Sequence, residues 1–261
     1  MKIFTVDAFT DKLFSGNPAG VCILDEDMSE NTMLSIAAEM NLSETAFVKK
    51  IDEGFSLKWF TPKVEVQLCG HATLATAHIL WEQGILSQND EARFHTLSGL
   101  LTVTNDNGEY EMNFPAYTVK DVSPNEKLIE ALKVTPVNFA EAEYHYICEL
   151  ESEEQLRNVF PSMESFMGLE KFGTIITAKS NSNDYDFVSR FFAPSKGVNE
   201  DPVTGSAHCS LGPYWMQKTG RDYFTAYQAS QRGGVVKIKM NDGRVLLKGR
   251  AVTFLRGDIS L

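Results

Sequence analysis

The chain has 261 residues, of which 43% are hydrophobic and 23% charged, a composition ordinary for a globular protein. This length accommodates one large domain or two of about 130 residues, each with a core of its own. The formal net charge of −11 argues against nucleic-acid binding and, more weakly, against binding to an anionic membrane surface, because both need clustered basic side chains.

The N-terminal segment reads as a strand followed by a loop, and its apolar run is too short for a signal peptide. No stretch approaches the roughly 20 apolar residues that span a bilayer, so we expect a cytoplasmic protein without membrane contacts. The four cysteines are far apart and form no CxxC pair, which predicts buried free thiols rather than a zinc site or a disulfide framework. They are Cys22, Cys69, Cys148 and Cys209.

In the first half of the chain, Glu30–Met40 has the pattern of an amphipathic helix, with a stop at Asn41. Leu42–Val48 then enters a strand, in which Glu44 stands among apolar and small residues. Ala72–Trp81 is an apolar helix that is preceded and followed by glycine. A helix this apolar must be surrounded by sheet.

Three segments of the first half recur in the second half in the same order, which indicates an internal duplication. They are Phe55–Pro62, Cys69–Thr73 and Thr102–Gly108, with the counterparts Phe187–Pro194, Thr204–His208 and Lys237–Gly243. The third segment ends in Asn-Gly or Asp-Gly, which predicts a hairpin with positive φ at both turn residues.

These patterns predict an α+β fold of two pseudo-symmetric domains, each a curved antiparallel sheet around one central helix. We place the domains at residues 1–117 and 118–261, because the stretch from Pro115 to Pro124 has two prolines and no periodicity. The final strand, Ala251–Leu261, fits either half.

Both predicted central helices begin at a glycine-centred loop, around Gly70 and Gly205. A helix N-terminus offers free N–H groups and the positive end of the helix dipole, which together favour an anion. Two related halves that face each other would direct both helix starts into one cleft, with hydroxyl donors from Thr73, Thr204 and Ser206. The alternative is that each glycine only permits the turn from strand to helix.

The histidines differ in their predicted positions. His71 lies at the mouth of the first helix and is a candidate donor or proton carrier. His78 lies seven residues further on, in the same helix, and is expected to be a packed or hydrogen-bonded core residue. The sequence leaves open whether His208 reaches the site.

Glu44 is the sharper candidate for proton chemistry. If the halves are superposed through Pro62 and Pro194, Glu44 falls on Ile176, so that only one half carries a carboxylate there. Burial of a carboxylate costs several kcal/mol unless it is paired, and it raises the pKa toward the range useful for acid/base catalysis. The alternative is a solvent-facing glutamate at the start of a strand.

Several of these segments resemble the motifs of the PhzF-like isomerase family of phenazine biosynthesis, in order and over essentially the whole chain. The segments are Phe14–Val21, Asn41–Phe47, Cys69–Thr73, Glu200–Ala207 and Gln228–Gly234. That family is similar in fold to diaminopimelate epimerase: it has two duplicated domains, each an antiparallel β-barrel around a helix, with the active site between them.

The resemblance implies a cofactor-free isomerase with Glu44 as the acid/base, and with His71 and Asp201 lining the site. It also implies that the two glycine loops hold a small carboxylated substrate, and that the protein is a homodimer without cofactor or metal. The expected substrate contacts are Gly70, Ala72, Thr73, Thr204, Gly205 and Ser206. In the phenazine enzyme the substrate is dihydro-3-hydroxyanthranilate, but the resemblance supports proton chemistry better than it supports that one substrate.

Cys69 departs from a simple match. It precedes Gly70 as a catalytic cysteine does in the epimerase relatives, but the corresponding residue of the second half is Thr204. A racemase that uses two cysteines is therefore not expected, and the role of Cys69 stays open. The remaining alternatives are a one-base racemase or epimerase of an amino or hydroxy acid, and a carboxylate-binding protein without catalysis.

Overall fold

A computed structural model describes residues 1–260 of the chain. Up to Pro115 the elements are β1 (Lys2–Ala8), β2 (Asn17–Leu24), α1 (Glu30–Met40), β3 (Thr45–Ile51), β4 (Gly54–Phe60), β5 (Glu65–Val66), α2 (Gly70–Glu82), β6 (Ala92–Thr96), β7 (Gly99–Asp106) and β8 (Glu109–Pro115).

The elements that follow are β9 (Lys120–Asp121), α3 (Glu126–Leu132), β10 (Asn138–Glu141), β11 (His145–Glu149), α4 (Glu153–Arg157), α5 (Met163–Phe166), β12 (Gly173–Lys179), β13 (Phe187–Ala193), β14 (Val198–Asp201), α6 (Gly205–Thr219), β15 (Tyr223–Gln228), β16 (Gly234–Asn241), β17 (Arg244–Gly249) and β18 (Ala251–Asp258). Pro194–Lys196 forms one 3₁₀ turn. Within the described residues, no helix is both long and apolar enough to cross a membrane.

The chain divides into two compact units. Unit 1 comprises Met1–Phe114 together with the C-terminal segment that starts at Leu247, and unit 2 comprises Pro115–Leu246. This division lies three residues before the boundary predicted after residue 117. The last strand, β18, pairs antiparallel with β1 over its whole length and thus belongs to unit 1.

The α+β fold predicted from the sequence is confirmed, but the sheets are mixed rather than purely antiparallel. In unit 1 the pairs β2–β3 and β4–β6 are parallel, as are β11–β12 and β13–β15 in unit 2. Parallel neighbours need a crossover connection, and helices supply it: α1 and α2 in unit 1, and α4 to α6 in unit 2. Across the described residues the sheet is not closed into a barrel.

The central helix of each unit is buried, as its composition predicts. In α2 ten of the thirteen residues are buried, and the helix contacts β1, β2, β3 and β18. In α6 ten of fifteen are buried. A second core of unit 1 lies on the other face of the sheet, where Phe47 and Phe60 pack with Met33 and Ile36 of α1.

The local turn predictions hold. Helix α1 begins and ends as predicted, and its C-cap Asn41 has φ 49°, in the left-handed region that asparagine tolerates. Both hairpin turns have positive φ at their two central residues, Asn107-Gly108 and Asp242-Gly243. All four cysteines are buried and free, as expected.

Candidate functional site

Glu44 lies at the entrance to β3, immediately after the turn that Asn41 allows. Its carbonyl oxygen accepts a hydrogen bond from Gly20 N at 3.1 Å, which fixes the backbone there. Phe47 packs toward α1, and because side chains alternate along an extended chain, Glu44 projects from the opposite face. Its side chain is 19% exposed, so the carboxylate is half-buried rather than solvent-facing.

Two side chains at the start of α2 lie near this carboxylate, and one of them contacts it. Nε2 of His71 lies 3.3 Å from Oε2 of Glu44, and Nδ1 of the same ring lies 3.5 Å from Sγ of Cys69. Cys69 is the N-cap residue, with extended φ and ψ of −145° and 110°, and His71 occupies the first turn. The thiol, the imidazole and the carboxylate therefore form a continuous row of contacts. The two members of this row that lie farthest apart in sequence, Glu44 and His71, are 27 residues apart.

His71 is a neutral imidazole. It is 6% exposed, and burial lowers the pKa of His71 from its usual 6.5 to about 3, because the low-dielectric surroundings disfavour the charged form. Its contact with Glu44 is therefore not an ion pair. Although Nε2 is 3.3 Å from the carboxylate, its alignment falls short of a full hydrogen bond, a looseness common in catalytic contacts without substrate.

The donor atoms of Glu44, Cys69 and His71 all lie within 4.8 Å of one another. A metal ion such as zinc accepts all three donor types, but it takes one nitrogen of each imidazole. Here the thiol is the neighbour of Nδ1 and the carboxylate is the neighbour of Nε2. The arrangement thus has the order of a hydrogen-bond chain, in which a central ring links two proton-carrying groups.

In unit 2, Asp201 and Thr204 form a tightly bonded loop before α6. The Thr204 hydroxyl donates to Asp201 Oδ2 at 2.5 Å. The fully buried side chain of Gln228 clamps the loop, because its Oε1 accepts from Thr204 N at 2.9 Å and its Nε2 donates to Asp201 O at 2.7 Å. No structural role was predicted for Gln228, because its partners lie more than 20 residues away and no local pattern marks them.

The expected substrate-contact residues fall into two groups. Gly70 and Ser206 lie at the helix starts and are partly exposed, whereas Ala72 and Thr73 are fully buried in α2. The Thr73 hydroxyl donates to Cys69 O at 2.5 Å, so its proton is used within the helix. Gly205, the first residue of α6, is buried as well.

The helix starts themselves share one property. Helix α1 is capped by the Ser29 side chain, which accepts from Thr32 N. Neither the N-cap residue of α2, Cys69, nor that of α6, Thr204, caps its helix with its side chain. Backbone N–H groups at such a start are suited to an anion.

The other histidines have structural partners. His78 Nδ1 contacts the Tyr110 hydroxyl at 2.9 Å and Nε2 contacts Thr253 Oγ1 at 3.0 Å, as expected for a hydrogen-bonded core residue. His208 is fully buried, and its Nδ1 lies 2.7 Å from Thr204 O. A carbonyl only accepts, so this nitrogen carries the proton. Burial lowers the pKa of His208 to about 4.

The superposition of Glu44 on Ile176 is wrong. Thr45 pairs with Phe60, and Thr174 pairs with Phe192, so the counterpart of Glu44 is Gly173. The error arose because the connection from β12 to β13 is longer than that from β3 to β4. Residues 180–186 lie between the paired Lys179 and Phe187, whereas only residues 51–54 lie between the paired Lys50 and Phe55. The carboxylate is still confined to unit 1.

Comparison with known proteins agrees with this architecture. The family model for phenazine biosynthesis-like proteins (PhzC-PhzF) matches residues 6–257. An uncharacterized isomerase of Halalkalibacterium halodurans is 49% identical over 261 residues, which cover 99% of this chain and 98% of that protein.

Two solved structures are similar in fold. A PhzF-family protein of Enterococcus faecalis superposes with a TM-score of 0.96 at 37% identity, covering 100% of this chain and 99% of the other. A hydroxyproline epimerase of Agrobacterium vitis with bound trans-4-hydroxy-L-proline has a TM-score of 0.64 at 9% identity, covering 99% and 90%; this likeness concerns the fold alone. Because the family model and the relative at 49% identity both cover nearly the whole chain, the chain belongs to the phenazine biosynthesis-like family.

Proposed function

We propose that this protein is an isomerase that moves a proton on a small carboxylated substrate, without metal or coenzyme, and that Glu44 is the acid/base. The observation that carries the proposal is the half-buried Glu44 carboxylate at 3.3 Å from the neutral His71 ring. Membership of a family with relatives named isomerases supports the reaction class.

Glu44 combines access with a fixed neighbour. Its partial exposure leaves the carboxylate within reach of a ligand, whereas the buried His71 ring is held at the first turn of α2. A neutral imidazole can donate from Nε2 to a carboxylate oxygen, and a carboxylic acid keeps an oxygen that accepts the same hydrogen bond. His71 would therefore accompany Glu44 through both protonation states, and no charge would have to be created on the ring.

We propose that the substrate carboxylate binds at a helix start. Gly70 in unit 1 and Gly205 with Ser206 in unit 2 begin helices whose N-cap side chains do not cap them, so their N–H groups suit an anion. Asp201 is the proposed catalytic carboxylate of unit 2, held by Thr204 and Gln228. Ala72, Thr73 and Thr204 shape the loops from behind, since they are buried.

The decisive experiment is Glu44→Gln, which keeps the size of the side chain and removes its acid/base function. Positioned proton transfer contributes roughly 10² to 10⁴ in rate, so turnover should fall by at least that factor. Proton exchange with D₂O would be followed by NMR on a panel of small carboxylic acids, with dihydro-3-hydroxyanthranilate among them. Glu39→Gln, on the exposed face of α1, is the matched control and should be fully active.

The same assay separates the alternative functions. Deuterium uptake at a stereocentre with inversion would identify a one-base racemase or epimerase, and the epimerase fold makes this the second candidate. Binding of a carboxylate without turnover by the unmodified protein would identify a binding protein. Near-normal turnover of Glu44→Gln would remove Glu44 from the mechanism, and recovery of lost activity only by an added metal or coenzyme would overturn the cofactor-free proposal.

A further inference from the structure

The imidazole of His71 has a different polar neighbour at each nitrogen. Sγ of Cys69 lies 3.5 Å from Nδ1, and Oε2 of Glu44 lies 3.3 Å from Nε2. The ring is buried, and a neutral ring carries one proton. That proton can be directed either at the sulfur or at the carboxylate, but not at both.

The two neighbours together select one of these tautomers. An ionised carboxylate only accepts hydrogen bonds, whereas a protonated thiol can donate one. If Sγ–H donates to Nδ1, the ring proton is on Nε2 and faces Oε2 of Glu44. In the other tautomer, the bare Nε2 lone pair would face the carboxylate, and like partial charges would repel in a buried setting.

We propose that Cys69 is a positioning residue for Glu44: its thiol donates to Nδ1 of His71 and so holds the ring proton on Nε2, where it faces the carboxylate. The catalytic consequence rests on the proposed function of Glu44, whereas the tautomer itself does not. Cys69 is suited to this role because it is the N-cap residue of α2, and the Thr73 hydroxyl bond to its carbonyl fixes the backbone beside it.

Unit 2 provides an internal reference. His208 is also a buried histidine in the first half of a central helix, but its Nδ1 faces the carbonyl oxygen of Thr204 at 2.7 Å. A carbonyl cannot donate, so the His208 proton lies on Nδ1. The two histidines should therefore show opposite tautomers in the same protein, since one Nδ1 faces a donor and the other an acceptor.

The tautomers can be read by ¹⁵N NMR of histidine-labelled protein at neutral pH, with His71→Gln and His208→Gln for assignment. We expect a protonated Nε2 and a hydrogen-bonded, unprotonated Nδ1 for His71, and the reverse for His208. A protonated Nδ1 on His71 in the unmodified protein would overturn the proposal, whatever the activity of Glu44→Gln. The reverse failure, a correct His71 tautomer with an active Glu44→Gln, would leave the proposal standing and remove the proposed function.

Variants of Cys69 test the consequence. Cys69→Ala removes the donor, so the His71 Nδ1 resonance should move toward that of a ring nitrogen without a donor. Turnover should fall roughly tenfold, the worth of about one hydrogen bond, with little change in KM. Cys69→Ser keeps a donor in place and should restore both the resonance and most of the rate.

Cys22→Ala is the matched control, because Cys22 is another fully buried free thiol of unit 1 and lies in the core beside α1. It should change neither the His71 resonances nor turnover. If Cys69→Ala leaves the Nδ1 resonance and the rate unchanged, or if Cys69→Ser behaves like Cys69→Ala, the thiol does not position His71 and the proposal fails.

Discussion

The starts of α2 and α6 are built on the same backbone but carry different chemistry. Each N-cap residue is extended, with φ and ψ of −145° and 110° at Cys69 and −113° and 106° at Thr204. A glycine follows in both, and four residues into each helix a side chain bonds the N-cap carbonyl: Thr73 in α2 and His208 in α6. The shared scaffold therefore accounts for the local geometry and not for the choice of reactive group.

The carboxylates occupy unlike places in the two units. In unit 1 the carboxylate is Glu44, at the entrance to β3, and the corresponding position of unit 2 is Gly173. A Cβ on Gly173 would lie 2.5 Å from the Phe191 ring and 2.8 Å from the His145 ring, so aromatic side chains fill this place. In unit 2 the carboxylate is Asp201, opposite Phe191, where unit 1 has Val66 opposite Trp59.

The two loops that precede the central helices are also held by different side chains. Gln228 ends β15 and clamps the Asp201–Thr204 loop through its amide. Thr96 ends β6 at the equivalent place, and its hydroxyl bonds within its own turn, to Gly99 O and from Ser98 N. The hydroxyl of Ser98 in that turn donates to Gln67 O at 2.7 Å. The two units thus share the geometry of the helix start, and each holds one carboxylate by its own contacts.

Among variants that test this difference between the units, Gln228→Ala should lose the most stability. The substitution removes the hydrogen bonds that Gln228 makes with the buried Thr204 N–H and with a carbonyl, and it leaves a cavity. The free energy of unfolding should therefore fall by about 3 kcal/mol. Urea denaturation measures this change. The matched variant Thr96→Ala, in unit 1, should cost less than about 1 kcal/mol; equal losses would mean that the clamp is not specific to unit 2.

Gly173→Ala should have the next largest effect. The added methyl group meets two buried rings at less than 3.0 Å, and such overpacking costs about 1 to 3 kcal/mol. Gly168→Ala is the control in the same unit, because nothing lies within 4 Å of its Cβ and its φ is not positive. Thermal unfolding should separate the two variants; a harmless Gly173→Ala would show that the rings yield and that a side chain can be placed there.

The features predicted from the sequence are those with local causes. The bounds of α1, its left-handed cap at Asn41 and both hairpin turns depend on neighbouring residues, and all were predicted correctly. Glu44 and His71 were also chosen as candidates, and the structure brings them together.

The features that the sequence could not supply depend on distant pairing. Two strands pair in parallel when a crossover connection places them side by side. The residues of one strand do not indicate which strand will lie next to it. The counterpart of Glu44 was misplaced because the connection from β12 to β13 is longer than that from β3 to β4, which changes the sequence offset between the units. The Gln228 clamp and the link from Cys69 to Glu44 through His71 join segments that only the folded chain brings together.

The last prediction concerns pH, and it tests whether His208 is a neutral, structural histidine. Burial lowers the pKa of His208 to about 4 in the folded state, whereas an unfolded histidine titrates near 6.5. Between these values the unfolded chain binds the additional proton. Stability should therefore rise with pH through this window, by about 1.4 kcal/mol per pH unit for each such histidine.

His208→Gln removes this titration and retains an N–H donor toward the carbonyl of Thr204. The free energy of unfolding should then depend on pH less steeply, by about one proton, between pH 5 and 6.5. Urea denaturation at several pH values measures the slope, and the upper part of the window separates histidine from the carboxylates, which titrate lower. An unchanged slope in His208→Gln would mean that His208 is already protonated in the folded state. The hydrogen bond from its Nδ1 would still exist, but the buried ring would be charged. The tautomers of His71 and His208 could then no longer be compared as those of two neutral rings.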